Sequence, residues 1–223
     1  MLKTQGSRIE AFSDAVFGFT LTLLVVSLEV PTDFAGLRAT LEGFPAFVAT
    51  FTLICWVWFE HYLFFRRYAL EDGVTVALNC LLLFVVVFYA YPMKFMATRL
   101  IGGALGMGPG IREGLTLSDA RLLMLAFGFG WVALFGVFAL LHTHVLRRRG
   151  ALSLDLFAVY DARSSRNRHL INVAVGLVSV LLVVALPPQL MGFAGLWYFV
   201  LGPLHASYGY FANVRRRRLE AVS

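Results

Sequence analysis

The segment SRIEAFSDAVFGFTLTLLVVSLEVP, residues 7–31, joins a charged beginning to a short apolar run. Arg8, Glu10 and Asp14 come first, and residues 15–28 then contain no charged side chain. A helix that crosses a bilayer needs about 20 apolar residues, so this run is too short on its own. The segment is therefore either not a membrane helix, or a membrane helix whose charged first turns are shielded from lipid by protein.

The composition of the whole chain favours the second alternative. Of the 223 residues, 59% are hydrophobic, 15% are aromatic and 14% are charged, and the mean hydropathy is +0.76. A soluble core of this size does not need so much apolar surface, so the composition indicates an integral membrane protein. The net charge of +6 is typical of basic cytoplasmic connections between membrane helices, and we do not expect a nucleic-acid partner.

Hydropathy predicts an all-α integral membrane protein with six transmembrane helices in a single domain, residues 1–223. Residues 170–214 contain no Lys, Arg, Asp or Glu, but this run is too long for one helix. The segment Pro187-Pro188-Gln189 divides it into two helices joined by a tight turn. The six predicted helices cover about residues 8–30, 44–66, 73–97, 120–146, 168–186 and 190–213.

The positions of Lys and Arg predict the direction of these helices. Most of the 19 basic residues lie in alternate segments, namely the N-terminal tail and residues 66–67, 147–168 and 215–218. The positive-inside rule therefore places both termini in the cytoplasm and the chain in the cell membrane. We do not expect a cleaved signal peptide, because acidic residues follow Lys3 and Arg8 and no small-residue cleavage site closes the apolar run.

No motif predicts a catalytic, metal or cofactor site, and we do not expect an enzyme. The glycine-rich connection at residues 98–119 lacks a phosphate-binding lysine and follows no predicted strand. Cys55 and Cys80 lie in apolar runs and are interpreted as free thiols. The segment SYGYF, residues 207–211, ends the last helix just before an arginine run. It is therefore interpreted as helix packing and not as a re-entrant filter loop.

Three consecutive predicted helices carry polar residues near their inner ends. At a rise of 1.5 Å per residue, Asp14, His61 and Asn79 fall within about 10 Å of the inner boundary. Polar groups at this depth are costly unless they share hydrogen bonds, so we expect a network among Arg8, Ser13, Asp14, His61 and Asn79. The alternative is that the charged residues of the first turns extend into lipid headgroups, which suits Asp14 less well.

The segment Arg8-Ile9-Glu10-Ala11-Phe12-Ser13-Asp14 resembles the R-x-x-x-F-S-D signature of the transmembrane protein 175 family, the bacterial and lysosomal potassium channels. The resemblance covers the whole chain. Further matching features are TLLV at residues 22–25, W-x-x-H at Trp58 and His61, and Asn79 followed by Pro92.

This resemblance implies a homotetramer in which the first helix of each six-helix subunit lines a central potassium-permeable pore. It implies passive flux, with no cofactor other than the permeating K⁺, and with lipids, monovalent cations and identical subunits as partners. The implied constriction begins at Phe19 and continues with Thr22, Leu23 and Val26. The motif implied to pack the inner helices, without selecting ions, comprises Arg8, Phe12, Ser13, Asp14, Trp58, His61 and Asn79.

The spacing of residues on the first helix independently favours a pore. Phe19, Thr22, Leu23, Val26 and Val30 recur at intervals of three or four residues and form one stripe, although such a stripe is also typical of core packing. The family usually has isoleucine where this chain has Phe19. Four phenylalanine rings could close the throat or offer their faces to a cation. A weakly selective cation or proton leak channel and a secondary transporter are the alternative functions.

Overall fold

The computed structural model describes residues 8–28, 30–68, 70–106, 114 and 116–220. The chain forms two compact units, residues 1–123 and 124–223. The first unit contains the helices α1 (Arg8–Val26), α2 (Phe34–Tyr68) and α3 (Gly73–Leu105). The N-terminal tail with Lys3, and most of the predicted glycine-rich connection, lie outside the described residues.

The second unit contains most of α4 (Leu117–Arg147) and all of α5 (Leu156–Ala185). A 3₁₀ turn at Pro188–Leu190 follows, then α6 (Gly192–Leu196), a 3₁₀ segment at Trp197–Val200, and α7 (Leu201–Glu220). Among the described residues, five helices, α1 to α5, are long and apolar enough to cross a membrane. The sixth predicted helix corresponds to the helical segment from α6 to α7, so the all-α fold with six helices is confirmed.

Five helices differ from their predicted bounds by four residues or more. Helix α1 ends at Val26, α2 begins at Phe34 and α3 continues to Leu105. Helix α5 begins at Leu156 and not near residue 168, and α7 continues to Glu220. At 1.5 Å per residue, the 35 residues of α2 span about 52 Å, well beyond a hydrocarbon core of about 30 Å. The added turns of α2 carry the exposed ion pair Arg38–Glu42, with 3.0 Å between Nε and Oε1.

Side-chain caps fix the starts of α2 and α3. The backbone N–H of Gly36 donates to Asp33 Oδ1 at 2.7 Å, and that of Thr75 donates to Asp72 Oδ1 at 2.9 Å. Helix α3 ends where Gly106 adopts φ = +64°, a left-handed conformation that glycine adopts without strain. The predicted bounds followed the apolar runs of the sequence and so marked the apolar part of each helix and not its caps.

In the first unit, α1 packs against both α2 and α3, which also pack against each other. Buried apolar side chains from all three helices fill the space between them, including Phe17, Leu24, Ile54, Phe64 and Leu82. This arrangement places the N-terminal turns of α1 beside the two helices that carry His61 and Asn79.

In the second unit, glycines allow α4 and α5 to approach closely. A Cβ atom added to Gly128 would lie 2.6 Å from Val180 Cγ2, and one added to Gly176 would lie 2.8 Å from Val132 Cγ2. Small residues at such contacts are typical of packed membrane helices. The core around this contact includes Phe135, Phe138, Leu141, Val145 and Val183.

Candidate functional site

Helix α1 has one buried face. Its buried residues are Ser13, Phe17, Thr20 and Leu24, spaced by three or four positions along the helix. This spacing places all four on one side, where they contact the rest of the first unit. Thr20 uses its hydroxyl within the helix, donating to the carbonyl of Val16 at 2.8 Å, so the buried face carries no unsatisfied hydroxyl there.

The opposite side of α1 is exposed and carries the residues predicted to line a pore. Phe19 is 58% exposed, Val26 is 72% exposed, and Thr22 is exposed between them. At 3.6 residues per turn these three positions lie about half a turn from the buried face. Leu23 is half-buried and lies at the edge of this exposed face. Val30 is exposed but follows the end of the helix.

Thr22 is the one hydroxyl on the exposed face between Phe19 and Val26. Its Oγ1 donates to the carbonyl of Gly18 at 2.9 Å. The hydroxyl proton is therefore directed back into the helix, and the oxygen lone pairs remain available on the exposed side. A cation could use these lone pairs, which the apolar neighbours do not offer.

Ser13, Asn79 and His61 form a buried chain of hydrogen bonds across three helices. Asn79 Nδ2 donates to Ser13 Oγ at 3.0 Å, and the Ser13 hydroxyl donates to the carbonyl of Ile9 at 2.7 Å. Asn79 Oδ1 lies 2.8 Å from His61 Nε2, which must be the protonated nitrogen because an amide oxygen can only accept. The ring of His61 packs between Phe17 and Phe65, at centroid distances of 5.6 and 4.6 Å.

Asp14 does not belong to this chain of hydrogen bonds. Its Oδ1 accepts from Trp58 Nε1 at 2.8 Å, on the exposed side of the bundle. Adjacent positions on a helix differ by about 100°, so Asp14 cannot face the same neighbours as Ser13. The five residues predicted to share one network are thus divided between a buried triad and a separate Asp14–Trp58 pair.

The remaining motif residues lie on the surface of the first unit. Phe12 is exposed, and so is Arg8. Within the described part of the chain, Arg8 makes no hydrogen bond or ion pair with Asp14 or His61. The structure therefore brings together Ser13, His61 and Asn79, and separately Asp14 and Trp58, but does not join Arg8 to either group.

Sequence analysis missed Lys94, which contacts the C-terminal end of α1. Its Nζ donates to the Ser27 hydroxyl oxygen at 2.6 Å and lies 3.1 Å from the Ser27 carbonyl oxygen. The sequence does indicate Lys94, because it is the first charged residue after the apolar run that begins at Gly73. A charged residue in an apolar helix indicates a partner.

Comparison with known proteins confirms the predicted family. A family model described as the endosomal/lysosomal potassium channel TMEM175 matches residues 8–89. A potassium channel of Marivirga tractuosa is 34% identical over 227 residues, covering 96% of this chain and 91% of that protein. A potassium channel of Chamaesiphon minutus is 32% identical over 126 residues, covering 53% of this chain and 62% of that protein.

Solved structures show the same fold. The crystal structure of a variant of the potassium channel MtTMEM175, in complex with a Nanobody-MBP fusion protein, matches with a TM-score of 0.83 and 32% identity over 95% of each chain. A lysosomal potassium-selective channel TMEM175 homolog from Chamaesiphon minutus matches with a TM-score of 0.52 and 26% identity, over 92% of this chain and 97% of that one. This chain belongs to the TMEM175 potassium channel family.

Proposed function

We propose that this protein is a potassium-permeable channel, and that four copies surround a central pore lined by α1. The observation that carries the proposal is the exposed face of α1 with Phe19, Thr22 and Val26. The names of the matching proteins, each called a potassium channel, support K⁺ as the permeating ion. The family consists of channels, which agrees with the prediction that the chain is not an enzyme.

The exposed face of α1 differs from a surface suited to lipid. Around Phe19 it combines the small residues Ala15 and Gly18 and the Thr22 hydroxyl with its apolar side chains. By contrast, the exposed positions of α3 include Phe84 and Phe88, which are large and wholly apolar. Polar groups in contact with lipid hydrocarbon are costly, whereas a pore supplies water for them. The contrast supports α1 as the helix that faces a central pore and α3 as one that faces lipid.

Phe19, Thr22, Leu23 and Val26 form the proposed constriction. A narrow ring of apolar side chains resists ions because an ion that enters must leave part of its hydration shell. Phe19 contributes the bulkiest side chain of the four and therefore sets the barrier. The Thr22 oxygens follow one turn outward and offer lone pairs that partly replace the lost water. The pore needs no bound cofactor other than the ion that passes through it.

The buried triad and the Asp14–Trp58 pair support this pore structurally. Ser13, Asn79 and His61 tie α1 to α2 and α3 on the side facing away from the pore. Asp14 is joined to Trp58 of α2 near the inner end of α1. Together these bonds fix the rotation of α1, and with it the direction in which Phe19 points. The proposed role of the motif is thus to orient the pore helix and not to contact the ion.

Monovalent cations, membrane lipids and three further copies of the chain are the proposed partners. The distribution of Lys and Arg supports a location in the cell membrane with both termini in the cytoplasm. A weakly selective cation or proton leak is the second candidate function. Phe19 is the observation that favours this second function. A large side chain at the constriction changes how closely an ion can approach the Thr22 oxygens, and the selectivity between ions depends on that approach.

Reversal potentials in a planar bilayer test the proposal. The purified protein is reconstituted with potassium on one side and sodium on the other. We expect single-channel currents whose reversal potential lies toward the potassium equilibrium potential. A reversal potential near zero would assign the weakly selective function, and a preparation with intact protein but no passive current would contradict the channel assignment.

A further inference from the structure

A groove of about 440 Å³ opens between α5 and α7 in the second unit. Its lining includes Tyr160, Arg163 and Asn167 from α5, and Tyr208, Phe211 and Arg215 from α7. The two helices are held together beside it by the Tyr160 hydroxyl, which donates to the carbonyl of Ala212 at 2.6 Å. The groove thus has fixed walls and belongs to neither the pore helix nor the inner motif.

The groove is cationic and rich in hydrogen-bond donors. Arg163 and Arg215 supply two guanidinium groups, one from each wall, and none of the lining residues is acidic. The nearby Asp161 is engaged elsewhere, because its Oδ1 lies 3.6 Å from Arg216 Nε. Asn167 accepts from Arg166 through its carbonyl oxygen, so its amide nitrogen keeps both of its donor hydrogens for a ligand.

The groove lies at the level of lipid headgroups. Helix α5 has 30 residues and is about 45 Å long, whereas the hydrocarbon core of a bilayer is about 30 Å thick. Arg163 precedes the uncharged run of residues 170–214, and Arg215 directly follows it. Both guanidinium groups therefore lie at the same margin of the apolar region, on the side that the positive-inside rule assigns to the cytoplasm.

We propose that this groove binds a phosphate group, carried by an anionic phospholipid of the inner leaflet. A guanidinium group presents two parallel N–H donors, a geometry that matches the oxygens of a phosphate. Basic pockets between membrane helices on the cytoplasmic side are suited to anionic headgroups. Tyr208 and Phe211 supply aromatic surface for the glycerol and upper acyl region, where aromatic side chains are favoured.

This site is independent of ion conduction. It lies entirely in the second unit, whereas the proposed pore residues lie in the first. A failure to find a bound lipid would therefore leave the channel assignment unaffected, and a channel that fails to conduct could still bind lipid.

Native mass spectrometry of the full-length protein tests the proposal. The protein is delipidated in detergent and then titrated with dioleoylphosphatidylglycerol, with dioleoylphosphatidylcholine, or with inorganic phosphate. The test variant is Arg163→Gln with Arg215→Gln. The control variant is Arg217→Gln with Arg218→Gln, which removes the same charge from exposed positions on α7 that do not line the groove.

We expect phosphatidylglycerol to bind the native protein and the control variant at least tenfold more tightly than it binds the test variant. Phosphatidylcholine should not distinguish them, and millimolar inorganic phosphate should not displace the lipid. If inorganic phosphate binds alone and depends on Arg163 and Arg215, the phosphate site is supported but its source is a soluble anion. Equal loss of lipid in the test and control variants would overturn the proposal, because it would show only attraction to the arginine-rich end of α7.

A third variant tests whether the geometry of the guanidinium groups matters in addition to their charge. Arg163→Lys with Arg215→Lys retains both charges but loses the paired donors of the guanidinium groups, and should bind phosphatidylglycerol with intermediate affinity. Size-exclusion chromatography of every variant checks that the assembly is intact. Full affinity in this lysine variant, with intact assembly, would contradict recognition of phosphate by guanidinium geometry.

Discussion

Phe17 and Phe19 lie two positions apart on α1 and face opposite ways. Phe17 is 2% exposed and packs against the ring of His61, whereas Phe19 is 58% exposed. The same side chain therefore contributes to the core at one position and to the proposed constriction at the other. This pair allows the effect of a residue on permeation to be separated from its effect on stability.

We predict that Phe19→Ala increases unit conductance and weakens the preference for potassium over sodium, because a smaller ring of side chains lets an ion keep more water. Phe19→Ile should give a selective channel, and Leu23→Ala should act in the same direction as Phe19→Ala but less strongly. Single-channel recording measures these changes independently of protein yield. Phe17→Ala is the control, expected to cost about 3–5 kcal/mol of stability with unchanged unit conductance. Unchanged conductance and reversal potential in Phe19→Ala would exclude this residue from the constriction.

The buried triad and the Asp14–Trp58 pair should differ in their effect on stability. We predict that Asn79→Ala leaves Ser13 and His61 without their shared partner, at a cost of about 1–3 kcal/mol for each buried polar group. Asp14→Ala should cost less, because its bond to Trp58 lies where solvent can replace it. Thermal unfolding of the two variants in detergent provides the comparison. A lower melting temperature for Asp14→Ala than for Asn79→Ala would show that the exposed pair is the more important contact.

Sequence analysis predicted the depth of these side chains but not their rotation. The rise of a helix placed Asp14, His61 and Asn79 at one level, and two of them do share a bond. Whether Asp14 or Ser13 faces Asn79 depends on how α1 is turned about its axis, which is decided by packing with α2 and α3. Similarly, Trp58 was included by resemblance to a motif, and only its contact with Asp14 shows what it does.

At the scale of the helix, Lys94 acts on the end of α1. Its ammonium group lies against the carbonyl and hydroxyl oxygens of Ser27, just past the last residue of that helix. A cation near a helix C-terminus interacts favourably with the helix dipole, by about 0.3–1 kcal/mol at exposed sites. Lys94 therefore stabilises the final turn of the proposed pore helix from a neighbouring helix.

We predict that Lys94→Met increases hydrogen exchange at residues 23–28 by about two- to fivefold, the change expected from losing this interaction. Exchange measured by mass spectrometry in detergent checks the result. Arg99→Met serves as the control, since Arg99 lies over the ring of Phe95 on the same helix, 5.1 Å from its centroid. Similar protection of residues 23–28 in Lys94→Met and the native protein would show that Lys94 does not stabilise this turn.

The lengths of the helices could be predicted only in part. Hydropathy marks residues that prefer lipid, so it located the apolar part of α2 but not the turns that extend into water. Those turns are helical because Asp33 caps them and because Arg38 and Glu42 pair one turn apart. Such local polar interactions carry little hydropathy signal, although the spacing of Arg38 and Glu42 is visible in the sequence.

At the scale of the whole molecule, the assembly can be tested directly. We predict that the purified protein has about four times the 24.8 kDa mass of one chain when measured by native mass spectrometry. In a background with Cys55 and Cys80 replaced by alanine, Val26→Cys should form disulfide-linked pairs under mild oxidation. Leu24→Cys should not, because Leu24 is buried within its own subunit. A monomeric mass, or cross-linking at Leu24→Cys but not Val26→Cys, would contradict a pore lined by α1.

The hydrogen bond between Ser13 and Asn79 also has a consequence for biosynthesis, because the two residues are separated by 66 positions in the chain. When α1 leaves the ribosome, the residues that will satisfy its polar turns have not yet been made. We therefore expect α1 to stay beside the protein-conducting channel until α3 arrives, and to enter the lipid together with α2 and α3. Glycosylation mapping of nascent chains should show stable insertion of α1 when synthesis stops after Leu105. Equally stable insertion when synthesis stops after Tyr68 would show that α1 enters the bilayer without waiting for Asn79.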